Sequence, residues 1–174
     1  MRRRQALAAV AGLGLTGGSA WIAKNGIPGR ESTASRLPIT VETLDARGSS
    51  AGETPVPIPG SVTVVDLFAT WCPPCDEQLA ILDDVRSSYP SVEFVSVTNE
   101  RPSDALTRED IAAWWNDHDG NWTLGLDPGS DLLAAFGASG LPYVAIADAD
   151  GSIRFQDGGL VEAGPLRREL DELV

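Results

Sequence analysis

Residues 62–69, Val-Thr-Val-Val-Asp-Leu-Phe-Ala, are nearly all apolar and run straight into Thr70-Trp71-Cys72-Pro73-Pro74-Cys75. A short apolar run without polar alternation suits a strand buried on both faces, the kind found inside a parallel sheet. Beyond it, Cys75, Leu79, Leu82 and Val85 recur at helical spacing, which predicts a helix of about 15 residues ending before Pro90. The two cysteines therefore fall at a strand-to-helix junction.

The rest of the chain extends this alternation. Residues 39–44 alternate as an edge strand or its lead-in, and residues 47–61, with Gly, Ser and Pro, read as a loop. Residues 92–98 form a second apolar strand. Thr107 to Asp110 is a capping box that opens a second helix carrying Ile111, Trp114 and Trp115. The adjacent tryptophans cannot both face the core. A short strand at 122–126, a short helix at 130–136 and a hairpin turning at Asp148-Ala-Asp-Gly151 follow. A last helix begins at Pro165 and buries Leu166, Leu170 and Leu173. The predicted order is β-β-α-β-α-β-α-β-β-α. It is an α/β class with a parallel core and antiparallel strands on one side.

Charge narrows the partners. The chain carries 13 basic and 25 acidic residues, net −12. Arg2, Arg3, Arg4 and Lys24 lie before residue 25, so residues 25–174 hold 9 basic and 25 acidic groups, or 9 − 25 = −16. Such a surface argues against nucleic acid or anionic lipid as a partner of the folded part. The acids are scattered and Lys24 is the only lysine. The composition resembles that of proteins from salt-loving archaea, with a docking surface for a basic partner as the competing reading.

The first 23 residues read as an export signal or membrane anchor. Three arginines precede an uncharged stretch, Ala6 to Ala23, which exits through Gly18-Ser19-Ala20. Arg3 and Arg4 with Leu7 resemble a twin-arginine signal. No cysteine follows that could carry a lipid. Residues 24–37 read as a flexible tether and residues 38–174 as the folded domain.

Cys72 and Cys75 are the only cysteines. A structural zinc site requires four ligands, and the chain offers two cysteines and one histidine, His118. A disulfide across two residues closes too small a loop to restrain the unfolded chain. A redox pair remains. The helix start favours a Cys72 thiolate, and Cys75, one turn on, is placed to resolve a mixed disulfide. Pro73 and Pro74 remove two amide donors, leaving mainly those of Cys75 and Asp76 for the thiolate. Asp76 and Glu77 add like charge. Both effects limit stabilisation of the reduced form and lean toward a reductase. Asp66, a lone carboxylate among apolar neighbours, is expected to titrate above its reference of about 3.9.

Val-Asp-Leu-Phe-Ala-Thr-Trp-Cys-Pro-Pro-Cys resembles the active-site strand and loop of the thioredoxin superfamily. Together with the N-terminal segment, an added α-β element, and the stretch from Leu124 to Ile153 containing Leu141-Pro142, it is similar to the TlpA/ResA-like membrane-tethered thiol-disulfide oxidoreductases. The resemblance spans roughly residues 37–174. It implies a thioredoxin-like fold, a central mixed β-sheet flanked by helices, with the α-β element inserted between the active-site half and the C-terminal hairpin. It makes Cys72 the nucleophile, Cys75 the resolving thiol, and Asp66 the acid that handles the second cysteine's proton. It places Trp71, Pro73 and Pro74 beside them. Pro142 matches a cis-proline facing the cysteines, and the Leu141 backbone would pair with substrate. Tyr143 stands where threonine is common, and no lysine follows Cys75.

The implied function is disulfide exchange on extracytoplasmic proteins, apocytochrome c among the implied clients. A membrane donor of the dithiol-relay type would supply electrons, with no metal and no cofactor. The competing class is a Cu(I)-delivery module using Cys72 and Cys75, with His118 as a third ligand. Relatives of that kind use a CxxxC spacing. His118 otherwise reads as an exposed helix-end residue, and Asn121-Trp-Thr123 is an N-glycosylation acceptor pattern.

Overall fold

The computed structural model describes residues 37–174. The segment expected to be an export signal or anchor, residues 1–23, and the expected tether up to residue 36 lie outside the described residues. The strands are β1 (Ile39–Thr43), β2 (Gly52–Val56), β3 (Thr63–Phe68), β4 (Glu93–Thr98), β5 (Thr123–Leu126), β6 (Tyr143–Ala147) and β7 (Ile153–Gly158). The helices are α1 (Pro73–Arg86), α2 (Arg108–Asp117), α3 (Asp131–Phe136) and α4 (Ala163–Leu173). One seven-stranded sheet runs in the order β2-β1-β5-β4-β3-β6-β7. β3, β4 and β5 are parallel; β6 and β7 on one side, and β1 and β2 on the other, are antiparallel. This is the mixed sheet with flanking helices of the thioredoxin-like fold.

Two expectations need correction. Residues 47–61 are not all loop, because β2 lies within them and pairs antiparallel with β1 from Ile39–Val56 to Thr43–Gly52. Pro55 and Gly52 masked it; a strand at the sheet's margin tolerates proline because one side needs no ladder bond. β1 is consequently interior, and antiparallel strands flank the parallel core on both sides. The last helix begins at Ala163 with Glu162 as its N-cap, so Pro165 sits inside the first turn, where its missing N–H has no partner to lose.

β3 explains the architecture. All six of its residues are buried. Val64 and Phe68 join the larger apolar cluster, with Leu79, Leu82 and Val85 of α1, Ile111 and Trp115 of α2, and Leu166 and Leu170 of α4. Val65 and Leu67 point the other way, to a second cluster with Leu132 and Phe136 of α3. Period-two alternation thus splits one apolar strand between two cores. Side chains of β3 with even numbers face the cysteine-bearing helix.

α2 is fixed at its start by the predicted capping box: the Asp110 amide donates to Thr107 Oγ1 at 3.1 Å, and the Thr107 amide donates to Asp110 Oδ2 at 2.8 Å. Trp115 is fully buried and its indole N–H donates to the Arg47 carbonyl at 3.0 Å. Trp114 is half-buried and stacks on Phe68, with ring centroids 5.3 Å apart. Gly120 lies against the Trp115 ring so closely that a Cβ there would fall 2.2 Å from Cδ2. Gly120→Ala is therefore expected to displace Trp115, the largest fully buried side chain among the described residues, and cost about 2 kcal/mol or more, as overpacking does. A urea midpoint unchanged from wild type would contradict it.

Candidate functional site

Cys72 and Cys75 form a disulfide with Cα atoms 5.3 Å apart. Cys72 is the N-cap of α1, in an extended conformation, with Pro73 and Pro74 at the first two helical positions. Neither cysteine makes the usual side-chain cap. The two differ in access: Cys75 is fully buried, and Cys72 keeps 4% exposure beside Trp71, which is 71% exposed. Pro73 and Pro74 are exposed too. The Cys75 amide donates to the Cys72 carbonyl at 2.9 Å. It is thus occupied by the turn itself, which revises the expectation that it would serve a Cys72 thiolate. With two prolines ahead of it, the helix start offers fewer free amides than its position suggests.

Thr70, two residues before Cys72, is held from the end of β4. Its amide donates to Glu100 Oε2 at 2.9 Å and its hydroxyl to Oε1 at 2.7 Å. Thr98 Oγ1 donates to the same carboxylate at 2.9 Å. The next turn of α1 is held by the loop between β7 and α4. The Val161 amide donates to Gln78 Oε1 at 2.7 Å, and Gln78 Nε2 donates to the Val161 carbonyl at 3.2 Å. The redox turn is therefore gripped on both flanks by two-point contacts.

Asp66 lies on the same sheet face, between Val64 and Phe68, and is 1% exposed. Parallel register sets it beside Ser96 of β4, whose hydroxyl donates to Asp66 Oδ2 at 2.8 Å. Oδ1 is buried and has no hydrogen-bond partner among the described residues. Desolvation pushes the carboxyl up to about 7, against the opposing pull of the Ser96 hydroxyl.

The Leu141–Pro142 peptide is cis. Pro142 is buried and Leu141 half-buried at the head of β6. Leu141 takes part in no turn or loop main-chain hydrogen bond among the described residues. Tyr143 goes elsewhere: its side chain joins the second cluster, on the opposite sheet face, and its hydroxyl donates to the Phe136 carbonyl at 3.1 Å. Burial there raises its phenol above the ordinary value. Of the expected site residues, then, Cys72, Cys75 and Asp66 share one face, and the Tyr143 side chain is withdrawn from it. His118 caps the end of α2, stacks on Trp114 at 4.2 Å, and places Nε2 3.7 Å from Asp76 Oδ2. Among the described residues, no three of His, Cys, Asp and Glu converge as a metal-binding group.

Ser96, Glu100 and Gln78 were not singled out in the sequence. Ser96 had the one available signal. It is the only hydroxyl between apolar residues in Phe-Val-Ser-Val, and it meets the only carboxylate of β3 once the two strands pair in register.

Residues 43–168 match the Redoxin family. The chain belongs to the Redoxin family. Curated relatives include the thiol:disulfide interchange protein CycY of Rhizobium leguminosarum bv. viciae, 26% identical over 106 residues. Another is the thiol:disulfide interchange protein DsbE of Allochromatium vinosum, 28% identical over 116 residues. The matches take in 61% and 66% of this chain but only 54% and 61% of those relatives. Among solved structures, a secreted disulfide oxidoreductase of Mycobacterium tuberculosis superposes with a TM-score of 0.64 at 19% identity. That superposition covers 79% of this chain and 97% of the other, and it shows the fold that this member of the family shares. No helix among the described residues is long and apolar enough to cross a membrane.

Proposed function

We propose that the protein is a thiol-disulfide oxidoreductase that exchanges disulfides with protein substrates through Cys72 and Cys75. The observation that carries this reading is the Cys72–Cys75 disulfide itself, with Cys72 keeping slight exposure beside the exposed Trp71 and Cys75 fully buried on the sheet face that also carries the buried Asp66. In the reducing direction, the Cys72 thiolate attacks a substrate disulfide, forms a mixed disulfide and expels one substrate thiolate, which takes a proton from water. Cys75 then gives its proton to Asp66, attacks Cys72 Sγ, and releases the second substrate thiolate. The substrate gains two electrons, and the protein's dithiol becomes a disulfide. A dithiol donor must reduce it again. Trp71, the two prolines and the Leu141 main chain before Pro142 form the surface on which an extended substrate segment would lie.

The reductase direction fits the blocked helix start: two prolines, an occupied Cys75 amide, and Asp76 and Glu77 nearby leave the Cys72 thiolate weakly stabilised. The resemblance to the TlpA/ResA-like proteins adds the finer reading. In it the domain works outside the cytoplasm, delivered or anchored by residues 1–23, with apocytochrome c cysteines as one client and a membrane dithiol relay as donor. The scattered acidic surface fits work in concentrated salt. The curated relatives named for thiol:disulfide interchange fit the activity.

The test pairs two measurements on one preparation. Titration of the Cys72–Cys75 couple against glutathione is expected to give a potential more reducing than glutathione's, with catalysed reduction of insulin disulfides. A protein that reduces no insulin but competes for Cu(I) through the two thiols would establish the metal-delivery alternative instead.

A further inference from the structure

The Trp122 indole N–H donates to Ser96 Oγ at 2.9 Å, and Ser96 Oγ donates to Asp66 Oδ2 at 2.8 Å. All three residues are buried, Ser96 completely. The directions follow from chemistry. An indole nitrogen can only donate, so Ser96 Oγ accepts from Trp122. A hydroxyl has one hydrogen, and it is directed to the carboxylate. The serine oxygen has a second lone pair, but to accept from a protonated Asp66 it would have to turn its own hydrogen away, and Asp66 Oδ2 is the one acceptor that hydrogen has among the described residues, so the O–H would be left unpaired in the core.

We propose that Ser96, seated by the Trp122 indole and with no other acceptor for its hydroxyl among the described residues, is a positioning residue for Asp66: it keeps Oδ2 a hydrogen-bond acceptor in both protonation states and confines the exchangeable proton to Oδ1. It rests on the reading of Asp66 as proton acceptor for Cys75. Oδ1 is the buried oxygen without a partner, so the site has one proton-accepting atom instead of two. The same lock favours the carboxylate over the acid, since the donor serves the charged form better. It holds down a group that burial drives upward.

The surroundings leave this lock as the main polar influence on Asp66. On its own face, β3 offers Val64 and Phe68, and β6 offers Val144. The ionisable groups that α1 and its N-cap bring to this side are Cys72, Cys75 and, at the far end, Arg86. α2 and α4 present Ile111, Trp115, Leu166 and Leu170. The Tyr89 hydroxyl is engaged by Asp171 and the His118 ring faces Asp76. Arg86 enters through the indole, its guanidinium 5.6 Å from the Trp122 ring centroid. A cation there polarises the N–H donor that starts the chain.

The experiment reads the Asp66 carboxyl directly, by carbon-13 NMR titration of the oxidised protein, in which the cysteines do not titrate. Ser96→Ala is expected to raise the midpoint by about one pH unit or more, the scale of one lost charge-assisted hydrogen bond. Ser96→Thr should restore it. Trp122→Phe removes the donor that seats and polarises the hydroxyl and should give a smaller shift in the same direction; it carries the comparison alone if Ser96→Ala does not fold. Resolution of the mixed disulfide is then timed against pH in the same variants, and its midpoint should follow the carboxyl. A carboxyl midpoint unmoved in Ser96→Ala and Trp122→Phe overturns the assignment. A midpoint that moves while the resolution profile stays fixed keeps Ser96 as the positioning residue and removes Asp66 as the acceptor.

Discussion

Cys72→Ser is expected to abolish disulfide reduction, and Cys75→Ser to keep the first attack while accumulating protein joined to substrate. The asymmetry follows from burial. A substrate disulfide must reach the attacking sulfur in line, and Cys75 is wholly enclosed while Cys72 retains an opening beside an exposed tryptophan. Position adds to it: Cys72 is at the helix N-cap, where the dipole favours a thiolate, and Cys75 is one turn inside. Without Cys72 no mixed disulfide forms, and turnover falls to background. Without Cys75 the bond to substrate has no internal leaving route, so the adduct persists until an external thiol removes it. Insulin reduction and mass spectrometry of the trapped species check both halves. Equal alkylation rates of the two thiols at pH 7 in the reduced wild type would count against the division.

Asp66→Asn is expected to stabilise the oxidised protein at pH 8 and to flatten its stability between pH 4 and 7. Below the unfolded pKa both states carry the proton, and the carboxyl has no linkage effect. Above it the unfolded chain releases the proton while the folded chain, with its carboxyl held near 7, retains it. The unfolded state therefore gains, and stability falls across that window until the folded group also ionises. A displacement of about three pH units corresponds to about 4 kcal/mol. The neutral amide has no such penalty, so the variant should exceed wild type by a few kcal/mol at pH 8 and differ little at pH 4. Urea unfolding at several pH values reads this; parallel curves for the two proteins would refute the burial argument. In the reduced protein the same variant should slow resolution far more than first attack.

Much of this fold was legible because its strongest elements combine two signals. β3 is apolar apart from Thr63 and Asp66 and is followed by a cysteine pair enclosing two prolines, and α2 opens with a capping box whose two bonds are both formed. β2 was not legible, since Gly-Glu-Thr-Pro has neither apolar alternation nor strand propensity; its pairing with β1 is a tertiary choice that overrides local preference. The cysteines and the buried carboxylate stood out by residue type. The tyrosine after Pro142 was misplaced because neighbouring residues on a strand face opposite ways, and proximity in sequence to the proline hid that. Trp122 and Glu100 could not be read from one dimension, and Ser96 showed only as a hydroxyl set among apolar residues. Each matters only through register: Ser96 lies across from Asp66, and Glu100 reaches a threonine 30 residues away.

The paired contact between Gln78 and Val161 has a wider consequence. A side-chain amide carries the same donor and acceptor as a peptide group, so Gln78 mates with the Val161 backbone as one rung of a ladder borrowed from sheet chemistry. The rung ties the loop entering α4 to the helix that begins with the disulfide. It has no charge. The exposed ion pairs of this chain, such as Arg108 with Glu42 and Arg167 with Asp84, weaken as salt rises or carboxylates protonate. The uncharged rung answers to neither. A protein whose exterior is dominated by ionised carboxylates thus fastens its reactive helix with a latch blind to ionic strength and acidity, and the sulfur geometry is insulated from the medium the surface must meet.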